Sequence, residues 1–235
     1  MSNTTNETFS YTGGAALENM NEAVRYNQAL LNLIYRTDIT KTSRILDFGA
    51  GMGTFSKLLR EEGYKVDCLE VDPTESAYLR GAGFTVFENL LEVPDGVYDS
   101  IYSLNVLEHI EDHAGALSEL QKKLKVGGRL FLYVPAFQSL YSEFDAMLGH
   151  FRRYKLSDLQ TLLEASHFSI LDIRYYDTLG FLAAYMFKLL RSKPEQVTRR
   201  KIWIFDRLIF PCNRIFDPLF RRWFGKNIFA LCIKK

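Results

Sequence analysis

The chain has 235 residues, an apolar fraction of 47% and a formal net charge of +1. That length suits one α/β domain with an elaboration, and the near-neutral balance leaves no electrostatic footprint for nucleic acid. Cys68, Cys212 and Cys232 lie in apolar runs without metal-ligand spacing, which argues against a disulfide framework and fits a reducing cytosol.

The opening MSNTTNETFSYTGG reads as a loose arm. It lacks the basic-then-apolar order of a signal peptide. No run of about 18 apolar residues follows anywhere, so no membrane-spanning helix is expected and a cytoplasmic setting is. Ala15 to Arg36 has apolar residues near helical spacing, among them Ala16, Met20, Val24, Leu30, Leu31 and Ile34. Ile45-Leu46 predicts a short strand closed by Asp47. Gly49, Gly51 and Gly53 follow, and then a helix with Phe55, Leu58 and Leu59 on one face. Lys65 to Leu69 predicts a second strand ending at Glu70. A helix starts at Pro73 and stops near Gly81 to Gly83, and Phe84 to Phe87 predicts a third strand. Tyr98 to Leu104 is the fourth, followed by a loop that begins at Asn105. Ala114 to Lys125 is a helix ended by Gly127-Gly128, and Arg129 to Val134 is the fifth strand, stopped by Pro135. Strands alternating with helices imply a parallel sheet covered on both faces.

Residues 136–154 form a long connection rich in aromatic and charged residues, of the kind that carries function. Leu156 to Ser166 predicts a helix capped at Ser157, and Phe168 to Tyr176 a sixth strand. Leu179 to Phe224 predicts two or three helices broken by Pro194, Pro211 and Pro218, and Asn227 to Ile233 a last strand. Charge is uneven. Leu179 to Lys226 holds eleven Lys/Arg against three Asp/Glu, a local +8 that leaves −7 for the rest. Ten aromatics lie in the same segment. It fits a helical lid, a dimer interface, or a stripe lying on an anionic membrane surface.

The glycine stretch carries the first chemical signal. A strand, a glycine turn and a helix N-terminus bring backbone N–H groups and the positive end of a helix dipole to a ligand. Asp47 beside them suits an ammonium group. A dinucleotide fingerprint would put its third glycine at position 54, which is Thr54, so the spacing disfavours NAD. Glu70, 23 positions after Asp47 and at a strand end, can accept hydrogen bonds from both ribose hydroxyls.

ILDFGAGMG, CLEVD around Glu70, VYDSIYSLNVLEHI (Val97–Ile110) and LKVGGRLFLYVP (Leu124–Pro135) occur in one order. Together they resemble a class I S-adenosylmethionine-dependent methyltransferase of the type 11 or type 12 group, over about residues 40–176. The resemblance implies a doubly wound, Rossmann-like α/β fold. Its seven-stranded, mostly parallel sheet would run 3-2-1-4-5-7-6, with an antiparallel last strand and a helical insertion before it. Residues 1–36 would be an arm and lid helix, 37–178 the cofactor-binding core, 179–226 the insertion and 227–235 the completing strand.

The implied cofactor is S-adenosylmethionine. Asp47 and the backbone of Gly49, Ala50 and Gly51, with Gly53 completing the turn, would hold its methionine end. Glu70, with Val71 beside it, would hold the ribose. Asn89 and Leu90 would flank the adenine, and Asn105 and Val106 would line the floor beneath the sulfonium. Tyr11 and Tyr26 would close over the methionine carboxylate or serve packing. Ubiquinone-type O-methyltransferases resemble the Glu108-His109 stretch and carry E-x-x-E-H with a proposed metal role. Asn105 replaces the first carboxylate here, so no metal is expected and Glu108-His109 is expected to cap the next helix.

YSEFDAMLGHFRRYKLSDL, Tyr141 to Leu159, resembles a bacterial subgroup with G-H-x-R-R-Y after the fifth strand. That connection would reach the acceptor side of the cleft. His150 would take a proton from an attacking hydroxyl or amine, and Asp145 would orient it. Arg152 and Arg153 would grip a carboxylate or phosphate. Tyr154 completes a catalytic group with His150 and Arg153. The other reading of this loop is a structural clasp. The expected activity is O-methylation of a small or lipid-linked acceptor bearing an anionic group, with N- and C-methylation open. The alternatives are an NAD(P)-dependent oxidoreductase or a non-catalytic S-adenosylmethionine-binding module at a membrane surface. A homodimer and peripheral contact with the inner membrane surface through 179–226 are the further partners expected.

Overall fold

The fold, taken from a computed structural model, is described for residues 23–190 and 198–235. Tyr11 lies outside the described residues. In chain order the elements are α1 (Val24–Ile34), β1 (Arg44–Phe48), α2 (Thr54–Glu61), β2 (Lys65–Leu69), α3 (Pro73–Gly81), β3 (Val86–Phe87), β4 (Tyr98–Leu104), α4 (His113–Lys123) and β5 (Leu124–Pro135). Then follow α5 (Glu143–Met147), α6 (Leu156–Ala165), β6 (Phe168–Tyr176), α7 (Thr178–Leu189), α8 (Arg199–Ile204), α9 (Asn213–Phe220) and β7 (Asn227–Lys234). One seven-stranded sheet runs β3-β2-β1-β4-β5-β7-β6, in the expected order. β1 to β5 pair in parallel, and β7 runs antiparallel to both β5 and β6.

Alternation along the strands divides two cores. Leu130, Leu132 and Val134 of β5 face Leu117 and Leu120 of α4 and Leu159 and Leu163 of α6. Phe131 and Tyr133 of the same strand face Leu30, Leu31 and Ile34 of α1. Each such fully buried side chain contributes about 1.5–3 kcal/mol. Ile202 and Phe210 of the 179–226 segment join the second core, so the insertion packs on the same sheet face as α1.

Polar ties fix that segment. Asp177, fully buried, accepts from the Gly180 N–H and from Asn213 Nδ2. Asp217 accepts from the N–H groups of Asp177 and Thr178, and the Lys226 N–H donates to the Asp177 carbonyl. Asp206 accepts from the N–H groups of Arg25 and Tyr26, which closes the amino end of α1. A π-helical turn, Phe205–Ile209, follows α8 and carries Asp206 to that position.

Some boundaries differ from the sequence expectations. α4 ends at Lys123 and β5 begins at once, so Gly127 and Gly128 lie within a strand. They serve a bulge there, because a Cβ on Gly128 would press on the carbonyls of Lys125 and Tyr98. α6 starts one residue before Ser157 and is flanked by Lys155, whose extended backbone continues the bridge between Ala136 and Tyr154. Ser157 bonds Asp158 instead. Among the described residues, no helix is long and apolar enough to cross a membrane.

Candidate active site

The carboxyl ends of β1, β2, β4 and β5 lie side by side, the edge at which open α/β sheets bind ligands. The glycine turn after β1 stands there. Gly49, Gly51 and Gly53 all have positive φ. Gly49 is held by more than its dihedral: a Cβ there would strike the methyl groups of Val106. The turn and the loop after β4 are thus in contact, and both carry expected cofactor positions. Asn105, also at positive φ, donates its N–H to the Tyr133 carbonyl at 2.7 Å. Left-handed non-glycine residues of this kind gather at functional sites.

Asp47 is buried, and its Oδ2 accepts from Ser56 Oγ at 2.6 Å and Tyr102 Oη at 2.7 Å. Burial pushes its carboxyl up to about 6 against those two hydrogen bonds. Glu70 is clamped by backbone: its two oxygens accept from the N–H groups of Gly51 at 2.7 Å and Asp72 at 2.9 Å. The Ala50 N–H donates to the Leu69 carbonyl, which ties the turn to the end of β2. Val71 is exposed, and Asn89 caps the short 3-10 turn that begins at Leu90 by accepting from the Leu91 N–H.

Glu75, in the first turn of α3, escapes the sequence reading. Its carboxylate faces Gly51, 3.8 Å from where a Cβ would stand, and has no hydrogen-bond partner among the described residues. Burial, then Glu70 and Asp72, push it up to about 7. Asp72 caps α3 three residues before Glu75, so D-x-x-E was the available signal. In such a box the glutamate ordinarily reaches back to the cap's N–H. Here Glu70 takes that N–H and leaves Glu75 to the turn. Three carboxylates around an amide-lined turn suit a ligand that is cationic at one end and rich in hydroxyls.

A second group lies on the loops after β4 and β5. His150 Nδ1 is 2.9 Å from Asp145 Oδ1, and its Nε2 is 3.9 Å from Glu108 Oε1. Its ring stands edge-on to His109, with centroids 4.5 Å apart. Glu108 is fully buried, neither oxygen has a hydrogen-bond partner among the described residues, and burial pushes its carboxyl up to about 8. It does not cap α4; Asp112 does, accepting from the Gly115 N–H. Burial, with His150 beside it, pulls His109 down to about 4. Glu108, His109 and His150 each present one ligand atom, all within 4.8 Å of one another, so the cluster has the dimensions of a cation site.

The two arginines have internal partners. Arg153 forks onto Asp145 at 2.7 and 3.1 Å, and Arg152 donates to the carbonyls of Ile110 and Glu111. Burial alone would raise Asp145, but His150 and Arg153 hold it well below the usual carboxylate range. Tyr154 Oη bonds the Leu107 carbonyl and contacts His113 Nδ1 at 3.0 Å. Tyr26 Oη donates to Tyr133 Oη at 3.1 Å, and Asn227 Nδ2 donates to the same oxygen at 2.9 Å. Lys226, half-buried beside Asp177, is another residue the sequence reading missed. Burial lowers its ammonium below the ordinary value.

A family model described as a methyltransferase domain matches residues 17–173. The ubiquinone biosynthesis O-methyltransferase of Xylella fastidiosa (strain 9a5c) is 31% identical over 116 residues, covering 45% of this chain and 47% of its own length. The malonyl-[acyl-carrier protein] O-methyltransferase of Serratia marcescens is 32% identical over 108 residues, covering 44% and 42%. The chain spans about half the length of the curated relatives it matches. Among solved structures, a SAM dependent methyltransferase from Archaeoglobus fulgidus superposes with a TM-score of 0.60 at 23% identity, covering 92% of this chain and 94% of that one. That likeness is one of fold.

Proposed function

This chain belongs to the methyltransferase-domain family, whose cofactor is S-adenosylmethionine. From that premise we propose that it methylates a hydroxyl group on a small or lipid-linked acceptor bearing an anionic group. The observation that carries the reading is the glycine turn: Asp47 and Glu70 flank it, and Gly49 is packed so tightly on Val106 that no side chain fits. A cationic amino-acid end suits Asp47, and a ribose suits Glu70. Bound there, S-adenosylmethionine supplies a methyl group already activated by a sulfonium.

The protein's share is alignment in a dry cleft and removal of one proton. His150 is the base in this reading. With Nδ1 against the Asp145 carboxylate, the imidazole proton belongs on Nδ1 and the lone pair on Nε2. Glu108 Oε1 stands 3.9 Å from Nε2, beyond hydrogen-bond distance, and leaves that nitrogen free to accept. Arg153 acts by holding Asp145 in place. The exposed apolar faces of α7 (Leu182, Tyr185, Met186) and α9 (Ile215, Leu219) support a greasy acceptor and peripheral contact with a membrane surface.

Isothermal calorimetry with S-adenosylmethionine and with NADH tests the reading. Binding of the first and none of the second is expected; NADH binding without S-adenosylmethionine binding overturns it.

A further inference from the structure

A cavity of about 720 Å³ opens between α1, β6 and α9, away from the glycine turn. Its volume is that of a small-molecule site. Arg25 and Arg36 reach it from α1 and the turn that follows, Arg174 from β6, and Arg214 and Arg221 from α9 and its end. Among the described residues, five guanidinium groups line the cavity with one carboxylate, Asp217, and a second, Asp172, pairs with two of them from outside the lining. Asp172 is shared by Arg36 at 2.9 Å and Arg174 at 2.6 Å. Asp217 is engaged by the N–H groups of Asp177 and Thr178.

Arg25 Nη1 donates to the Arg207 carbonyl at 3.0 Å, but the cationic capacity is only partly taken up. Nη1 of Arg36 is buried with no hydrogen-bond partner, and the side chains of Arg214 and Arg221 have no carboxylate partner among the described residues. Burial, with Arg36 and Arg221 nearby, draws the Arg174 guanidinium below its ordinary value against the pull of Asp172. Arg25, Arg214 and Arg221 are exposed and Arg36 and Arg174 partly buried, so the repulsion among them is screened in part, and an anion bound between them would relieve what remains. Between the arginines the walls are apolar, with Ala29, Leu33, Phe210 and Pro211, so there is room for an organic body behind an anionic head. Guanidinium forks match phosphate oxygens in pairs.

We propose that this arginine-lined cavity is a binding site for a phosphate-bearing ligand. Phosphate fits better than a lone carboxylate, because three oxygens can engage several guanidinium groups at once. The same chemistry is offered by a soluble phosphate ester and by a phospholipid headgroup, and the exposed Ile215, Leu219 and Trp223 nearby admit the second. The cavity shares no lining residue with the glycine turn, and its Phe210 packs edge-on against Tyr26, with centroids 5.1 Å apart, while Tyr26 in turn packs on Tyr133.

The test uses the full chain and three proteins: wild type, the cavity variant R214Q/R221Q, and the charge-matched control R207Q/R222Q. Arg207 and Arg222 are exposed and do not line the cavity. All four arginines are exposed, so folding is expected to survive, and thermal unfolding checks it. Pyrophosphate is titrated by calorimetry, and phosphatidylcholine vesicles with and without phosphatidic acid are sedimented with each protein. The expected result is that the cavity variant loses about tenfold or more in affinity for one of these probes, relative to the control. A selective loss toward pyrophosphate identifies a soluble ester, and one toward phosphatidic acid vesicles a headgroup. If the cavity variant and the control weaken equally, or wild type binds neither probe, the proposal is overturned.

Discussion

Asp47, Glu70 and Glu75 gather around one turn within a strand–helix–strand–helix stretch, and backbone N–H groups hold Glu70 in place. Glu108, Asp145, His150 and Arg153 meet from the connections after β4 and β5, and the side chains of Asp145, His150 and Arg153 hold one another beside Glu108. The first region is scaffolded by the chain's local geometry and needs few partners. The second is a mutual arrangement, in which removing one member leaves the others with buried charge. The two regions should therefore fail differently: the first by losing a ligand, the second, where its central ion pair is broken, by losing stability.

The largest expected effect is on the second region. Asp145→Ala strands the buried Arg153 guanidinium and frees His150, and should cost about 3–5 kcal/mol in denaturant unfolding. A loss under about 1 kcal/mol would mean that the loop is not held by this ion pair. Next is His150→Gln, which should lower kcat about 100-fold with little change in S-adenosylmethionine affinity. Undiminished turnover would remove the base from the scheme. On the cofactor side, Glu70→Ala should weaken S-adenosylmethionine about tenfold to a hundredfold in calorimetry. Undiminished affinity would withdraw the ribose assignment.

A smaller effect concerns pH. The Glu108 carboxyl is raised in the fold to about 8, so the folded state binds its proton more tightly than the unfolded chain does. That contribution is fully present below the ordinary carboxylate range and is lost as pH rises toward and through 8. Glu108→Gln should flatten the fall in stability between about pH 5 and pH 8.5 in urea melts. An unchanged slope would show that Glu108 is ionised throughout. Smallest of all, dialysis against a chelator should leave methyl transfer unaltered. Activity lost to the chelator and restored by one divalent cation would instead turn Glu108, His109 and His150 into ligands.

The same contrast explains what could be read from sequence. The strands and the glycine turn are legible because their constraints are local, positive φ at Gly49, Gly51 and Gly53 and acidic residues at strand ends, whereas the strand order is long-range and came only with the resemblance. Arg153 read as a donor open to a ligand, because nothing in the linear order shows that α5 turns Asp145 back onto it. The approach of Glu108 to His150 depends on the Phe151 N–H donating to the Glu108 carbonyl, a contact between loops that no periodicity records. Glu75 was missed because its capping pattern has an ordinary structural meaning, which Glu70 cancels by taking the N–H that Glu75 would have used. The arginine cavity was visible only as a local excess of positive charge. Arg25 and Arg36 lie near the amino terminus and Arg214 and Arg221 near the other end of the chain, and the fold alone brings them together.

One tie bears on how this protein can be cut. Asp206 belongs to the insertion, yet it covers the first N–H groups of α1, a helix that packs on the sheet and on Phe210. Excising residues 179–226 to obtain a minimal core would strip a helix at the opposite end of the sequence of its amino-terminal cap and expose Tyr26. The insertion is therefore a poor candidate for deletion, domain grafting or circular permutation, although a map of sequence motifs draws it as an appendage.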